Sequence, residues 1–124
     1  MTKKILIVED DIVLQNALKE YLTREEFEIM CASDGEEGLQ MAMDNDPDLI
    51  LLDIVLPKKD GYEVLSEVKN NEKTNHIPVV LLTNLGSVLD VQKALDLGAT
   101  TYLVKADYKL EEISLKIKEI LDIK

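Results

Sequence analysis

Five short apolar runs set the framework of this chain: ILIV at 5–8, IMCA at 29–32, LILL at 49–52, VVLL at 79–82 and YLV at 102–104. Each is too short for a buried helix and reads as a strand. Longer stretches of helical period separate them. Leu14, Ala17, Leu18, Tyr21 and Leu22 keep the i, i+3, i+4, i+7, i+8 spacing of an amphipathic helix. Leu39, Ala42 and Met43 mark a second helix after SDGE, where Ser33 and Glu36 have the spacing of a capping box. Gly61, Val64, Leu65 and Val68 mark a third, and residues 86–97, closed by Gly98, a fourth. Leu110, Ile113, Ile117, Ile120 and Leu121 give a fifth, with Asp107 as its expected N-cap and Glu111 and Glu112 in the first turn. Prolines 47, 57 and 78 all fall between elements. Strands alternating with helices predict an α/β fold: a doubly wound, five-stranded parallel sheet with helices on both faces. With 124 residues and no linker or repeat, one domain over 1–124 is expected.

In such sheets ligands bind beyond the carboxyl ends of the strands. The first run ends in Glu9 and Asp10, the third in Asp53, the fourth in Thr83 and the fifth in Lys105. Carboxylates crowded at the end of a buried strand are costly unless positive charge sits among them. Three of them on one edge suit a hard cation with oxygen ligands, and Mg2+ is the usual choice where a phosphate also binds. The Thr83 hydroxyl and Lys105 ammonium would face an anionic group sharing that cation. Asp53 stands alone at the end of a central strand and is the best nucleophile. Its attack on phosphorus gives an acyl phosphate, with the metal offsetting charge on the transferring group. Asp11, next to the acidic pair, reads as a helix N-cap or a solvated charge.

Formal net charge is −11, from 14 basic and 25 acidic residues. That opposes direct contact with nucleic acid or an anionic membrane. A single cysteine, Cys31, excludes an internal disulfide and suits a reducing compartment. No apolar stretch approaches the ~20 residues that span a bilayer, and MTKK leads into a strand rather than a signal peptide. A cytoplasmic protein is expected. His76, the one histidine, lies in the polar stretch NEKTNH and reads as a surface residue rather than a phosphodonor.

Four segments carry a family resemblance: VEDD (8–11), LLDIVLPKKDGYEVL (51–65), VVLLTN (79–84) and GATTYLVKA (98–106). In this order and spacing the chain resembles, over essentially its whole length, the receiver domain of bacterial two-component response regulators, the chemotaxis-type receiver superfamily. The resemblance implies a flavodoxin-like sheet of order 2-1-3-4-5. It implies phosphorylation of Asp53 from a histidine of a partner kinase or phosphotransfer protein. It implies Mg2+ held by Asp10, Asp53 and the main-chain carbonyl of Val55, with Glu9 acting mostly through water. Thr83 and Lys105 would bind the phosphoryl group, Tyr102 would change rotamer with it, and the 84–108 surface would signal to a partner or a second copy. The chain would then be a signalling phosphoacceptor and not an enzyme in its own right.

The chain also departs from that pattern. Ala106 stands where receivers usually have proline, so the Lys105–Ala106 peptide is expected to be trans, since cis costs ~2.5–4 kcal/mol without proline. Asn84 follows Thr83 where a small residue is usual, and Thr101 stands where many transcription-factor receivers carry an acidic residue used in pairing. Leu85, Val88, Leu89 and Val91, with Leu95 and Leu97, make the fourth helix more apolar than one buried stripe needs, which suggests an exposed partner surface. Val55 and Leu85 offer no hydrogen bond to an in-line water, so slow self-dephosphorylation is expected. The ending EILDIK, without linker or DNA-binding segment, suggests a stand-alone regulator. Three other classes are weaker. A haloacid dehalogenase-type hydrolase wants a second Asp where Val55 stands. An inert interaction module would have lost the acidic pair, Asp53 or Lys105. A flavin carrier would need a phosphate-cradling loop where Glu9 and Asp10 would repel the ligand.

Overall fold

A computed structural model describes residues 2–84, 88–105 and 108–123, with residues 88–90 described by their backbone alone. Strands and helices alternate: β1 (Lys4–Val8), α1 (Ile12–Arg24), β2 (Glu28–Ala32), α2 (Gly35–Asn45), β3 (Leu49–Leu52), α3 (Gly61–Lys69), β4 (Val79–Thr83), α4 (Val88–Asp96), β5 (Thr101–Val104) and α5 (Leu110–Ile120). The sheet order is β2-β1-β3-β4-β5, and every pairing is parallel. That is the expected doubly wound fold.

Period-2 alternation sends side chains to two cores. Leu6, Val8, Ile50, Leu52 and Leu81 pack with Ala42, Val64, Val68 and Ala94 from α2, α3 and α4. Ile5, Ile7, Leu49, Leu51 and Val80 face the other way, against Leu18, Leu22, Ile113 and Ile117 of α1 and α5. Each fully buried Leu or Ile contributes about 1.5–3 kcal/mol from area removed from water. Central strands buried on both sides explain why LILL and VVLL show no polar alternation.

Register delivers the polar ends to one place. Val8 lies level with Ala32 on one side and Leu52 on the other, and Thr83 lies level with Val104. The main chain continues this pairing for one more step, Glu9 N–H donating to Ala32 O at 3.0 Å and Asp53 N–H to Val8 O at 3.0 Å. The residues after β1, β3, β4 and β5 therefore leave the sheet side by side.

Two helix starts differ from expectation. In α2 the cap is Asp34, which accepts from Glu37 N–H at 2.7 Å, while Glu37 accepts from Ser33 N–H at 2.9 Å. The motif thus sits one residue beyond the expected Ser33–Glu36 pair. Tertiary contact sets it there, because a Cβ on Gly35 would lie 1.8 Å from the Lys59 carbonyl oxygen. In α5 the N-cap position is Lys109, whose N–H donates to Glu112 at 3.3 Å, so the helix supplies its own carboxylate. Asp107 itself lies outside the described residues. Asp11 does cap α1, accepting from Val13 and Leu14 N–H at 3.1 and 3.3 Å. Gly98, at φ +103°, closes α4 as expected. No helix among the described residues is long and apolar enough to cross a membrane.

Candidate functional site

The carboxyl edge of the sheet gathers a compact polar cluster. Glu9 and Asp53 are 3% and 6% exposed, a degree of burial rare for carboxylates unless they are partnered, and Thr83 on the same edge is 1% exposed. Asp10 stands beside them in solvent, and one carboxylate oxygen from each of Glu9, Asp10 and Asp53 falls within 4.8 Å of the others. Lys105, from the end of β5, reaches between the buried pair. Its Nζ donates to Glu9 Oε1 at 2.6 Å and to Asp53 Oδ2 at 3.1 Å.

The remaining carboxylate oxygens are held by the main chain. Asp53 Oδ1 accepts from Ile54 N–H at 2.8 Å, and Glu9 Oε2 accepts from Asp11 N–H at 3.1 Å. The loop after Asp53 is clamped by Gly61, where a Cβ would lie 2.3 Å from the Asp53 carbonyl oxygen. Gly61 N–H donates to Ile54 O at 2.7 Å. Only glycine lets α3 start this close to the acidic residue.

Burial pushes the Glu9 carboxyl above its ordinary range, and the Asp53 charge adds to the effect. The Lys105 and Asp11 hydrogen bonds pull the other way. For Lys105, burial alone would lower the ammonium, but its bond to Glu9 and the Asp53 charge outweigh this and hold it above its ordinary value. Two buried carboxylates share one ammonium with a third, Asp10, alongside, and the site keeps an excess of negative charge. Oxygen donors so grouped fit a hard divalent cation.

The structure brings together Glu9, Asp10, Asp53 and Lys105, and ends β4 at Thr83 on the same edge. Tyr102 lies on β5, half-buried against the α2–α3–α4 core. The Val55 side chain is 62% exposed. Of the expected partner surface, Leu85 lies outside the described residues and Val88 and Leu89 are described by backbone only. Val91 is half-buried, and Leu95 in the same helix is 45% exposed. The Lys105–Ala106 peptide also lies outside the described residues. His76 is an exposed residue 3.2 Å from Asp46.

Sequence reasoning missed Gln15. It is buried with Leu18 and Leu22 on the inner stripe of α1, and its amide donates to the Glu9 carbonyl. A polar residue in register with an apolar stripe was the available signal.

The model of the response regulator receiver domain matches residues 5–118. The chain belongs to the response regulator receiver family. It is 42% identical over 118 residues to the transcriptional regulatory protein CpxR of Klebsiella pneumoniae, covering 95% of this chain and 49% of that protein. It is 39% identical over 119 residues to the probable transcriptional regulator ycf27 of Cyanophora paradoxa, covering 96% and 48%. The receiver thus spans about half the length of these curated relatives. A CheY-like receiver from Methanospirillum hungatei superposes with a TM-score of 0.91 at 30% identity, covering 98% of this chain and 95% of that one. A CheY from Borrelia burgdorferi, solved in complex with CheX, BeF3 and Mg2+, gives 0.87 at 29% identity, with 96% and 89% covered. This receiver is a signalling domain of a two-component system, and receivers of this kind accept a phosphoryl group on an aspartate.

Proposed function

We propose that residues 1–124 act as one cytoplasmic receiver unit in which Asp53 is the phosphoacceptor. The donor is a phosphohistidine on a sensor kinase or phosphotransfer protein. An Asp53 carboxylate oxygen forms the new P–O bond as the donor P–N bond breaks, and the imidazole leaves with that electron pair. The observation that carries this reading is Lys105 bridging two buried carboxylates, Glu9 and Asp53, with Asp10 alongside. An ammonium already at the acceptor oxygen is placed to follow the charge onto a phosphoryl group.

Asp10 and Asp53, the Val55 carbonyl and, mostly through water, Glu9 would hold Mg2+. Bound there, Mg2+ offsets the charge of an anion approaching carboxylates. Thr83 would donate to a phosphoryl oxygen, and Tyr102 would report the new state by changing rotamer on the 84–108 face. That face would then meet a downstream protein or a second copy. Direct binding of nucleic acid by these residues is opposed by the net charge of −11. A DNA-binding output, as the names of the longer relatives suggest, would belong to a further segment. Slow self-dephosphorylation follows from the apolar, exposed Val55, with Leu85 as its expected counterpart.

Incubation with acetyl phosphate and Mg2+, followed by intact mass, tests the assignment. One phosphoryl group is expected, absent in Asp53→Ala and in EDTA. Gain of phosphate by Asp53→Ala would remove Asp53 from the reaction. The Val55→Asn, Leu85→Glu double variant should lose its phosphate faster than wild type. Equal decay places control of the lifetime elsewhere.

A further inference from the structure

We propose that Gln15 is a positioning residue for the cation site, setting how tightly the acidic cluster holds a divalent ion. This rests on the reading of Glu9, Asp10 and Asp53 as that site. Gln15 is 8% exposed and lies in the first half of α1, two turns before Leu22. Its Nε2 donates to Glu9 O at 2.8 Å and approaches Ala32 O at 3.2 Å and Ser33 Oγ at 3.3 Å. Two N–H hydrogens thus serve three acceptors, drawn from the ends of β1 and β2 and the turn into α2.

The contact with Glu9 matters most. That carbonyl belongs to the peptide unit joining Glu9 to Asp10, so fixing it fixes the plane from which both carboxylates project. Asp53, the third carboxylate, is held instead from its own loop through Ile54 N–H and Gly61. The β1 and β3 halves of the site are tied to each other by Lys105 and by Asp53 N–H donating to Val8 O, and Gln15 adds a tie from α1 to the β1 half. A residue that orients metal ligands without touching the metal commonly alters affinity by about 10–100-fold when removed. Burial gives a second reason for its presence: an amide this enclosed is destabilising unless bonded, and the shortest of its bonds goes to Glu9.

Calorimetric titration of Mg2+ into wild type and Gln15→Met tests this, since methionine keeps length and flexibility but has no donor. The dissociation constant should rise about tenfold, while phosphorylation of the variant by acetyl phosphate returns to the wild-type rate at saturating Mg2+. A merely structural role would lower the melting temperature in EDTA and leave the dissociation constant unchanged, and that result overturns the proposal. Should Gln15→Met not fold, the side-chain amide resonance of Gln15 in wild type decides. It should move with the same Mg2+ midpoint as the Glu9 and Asp10 backbone amides, and a signal indifferent to Mg2+ overturns the idea equally. Failure of wild type to bind Mg2+ at all would instead remove the reading of the site on which this one rests.

Discussion

Two carboxylate–lysine clusters stand at opposite ends of the sheet. At the amino edge, Glu25 Oε1 accepts from Ser114 Oγ and Lys118 Nζ, each at 3.1 Å, tying the end of α1 to α5. At the carboxyl edge, Lys105 bridges Glu9 and Asp53 with Asp10 nearby. The ingredients match but the proportions do not. Glu25 has an ammonium and a hydroxyl to itself, and its bond with Lys118, then that with Ser114, holds its carboxyl below the usual range. Around Lys105 the carboxylates outnumber the ammonium, and burial drives Glu9 the other way. A balanced cluster is a closed structural tie, whereas an unbalanced one is unfinished without a further cation. Charge proportion separates the roles.

The largest effect should come from Lys105→Met, which strips the ammonium from the buried pair. In EDTA a loss of about 3 kcal/mol is expected, as for a buried pair left without its partner, measured by urea unfolding. Saturating Mg2+ should recover part of it. A variant as stable as wild type in EDTA breaks the contrast, because the carboxyl edge would then be self-sufficient.

Gly61→Ala should follow, costing about 1–3 kcal/mol by overpacking the approach of α3 to Asp53. Phosphate uptake from acetyl phosphate should fall with it, since the displaced atom is the Asp53 carbonyl. Normal uptake would show that the loop after Asp53 tolerates movement.

The smallest change is expected from Glu25→Gln, at the balanced end. Its melting temperature should drop slightly and by the same amount with or without Mg2+. Because the Glu25 carboxyl is lowered in the folded protein, its contribution is present above the ordinary glutamate range and is lost as pH falls through the lowered value. The gap between wild type and Glu25→Gln should therefore close on acidification. A gap that widens would contradict the lowered Glu25 carboxyl, and one that depends on Mg2+ would mean the two ends are coupled.

Much of this was legible in the chain because its signals are local. ILIV, LILL and VVLL carry strand length and two-sided burial in their own composition, and the helical repeats carry their inner faces. Once the strands are parallel, their last residues must share an edge, which is how Glu9, Asp10, Asp53, Thr83 and Lys105 could be grouped before any coordinates. Helix starts were less legible. Ser33 and Asp34 are both competent caps, and contact between Gly35 and Lys59, 24 positions apart, chose between them.

The sequence by itself determined the element order, the two-faced core and the chemical inventory of the site, since each depends on periodicity and on which residue ends each strand. Only the tertiary structure decided the pairings. Lys105 meets Glu9 more closely than Asp53, Gln15 turns its amide to the Glu9 carbonyl, and Glu25 takes both Ser114 and Lys118. These contacts join residues from different elements, most of them far apart in the chain. Which donor reaches which oxygen is fixed by the register of the strands and the packing of the helices, and no local pattern encodes either distance.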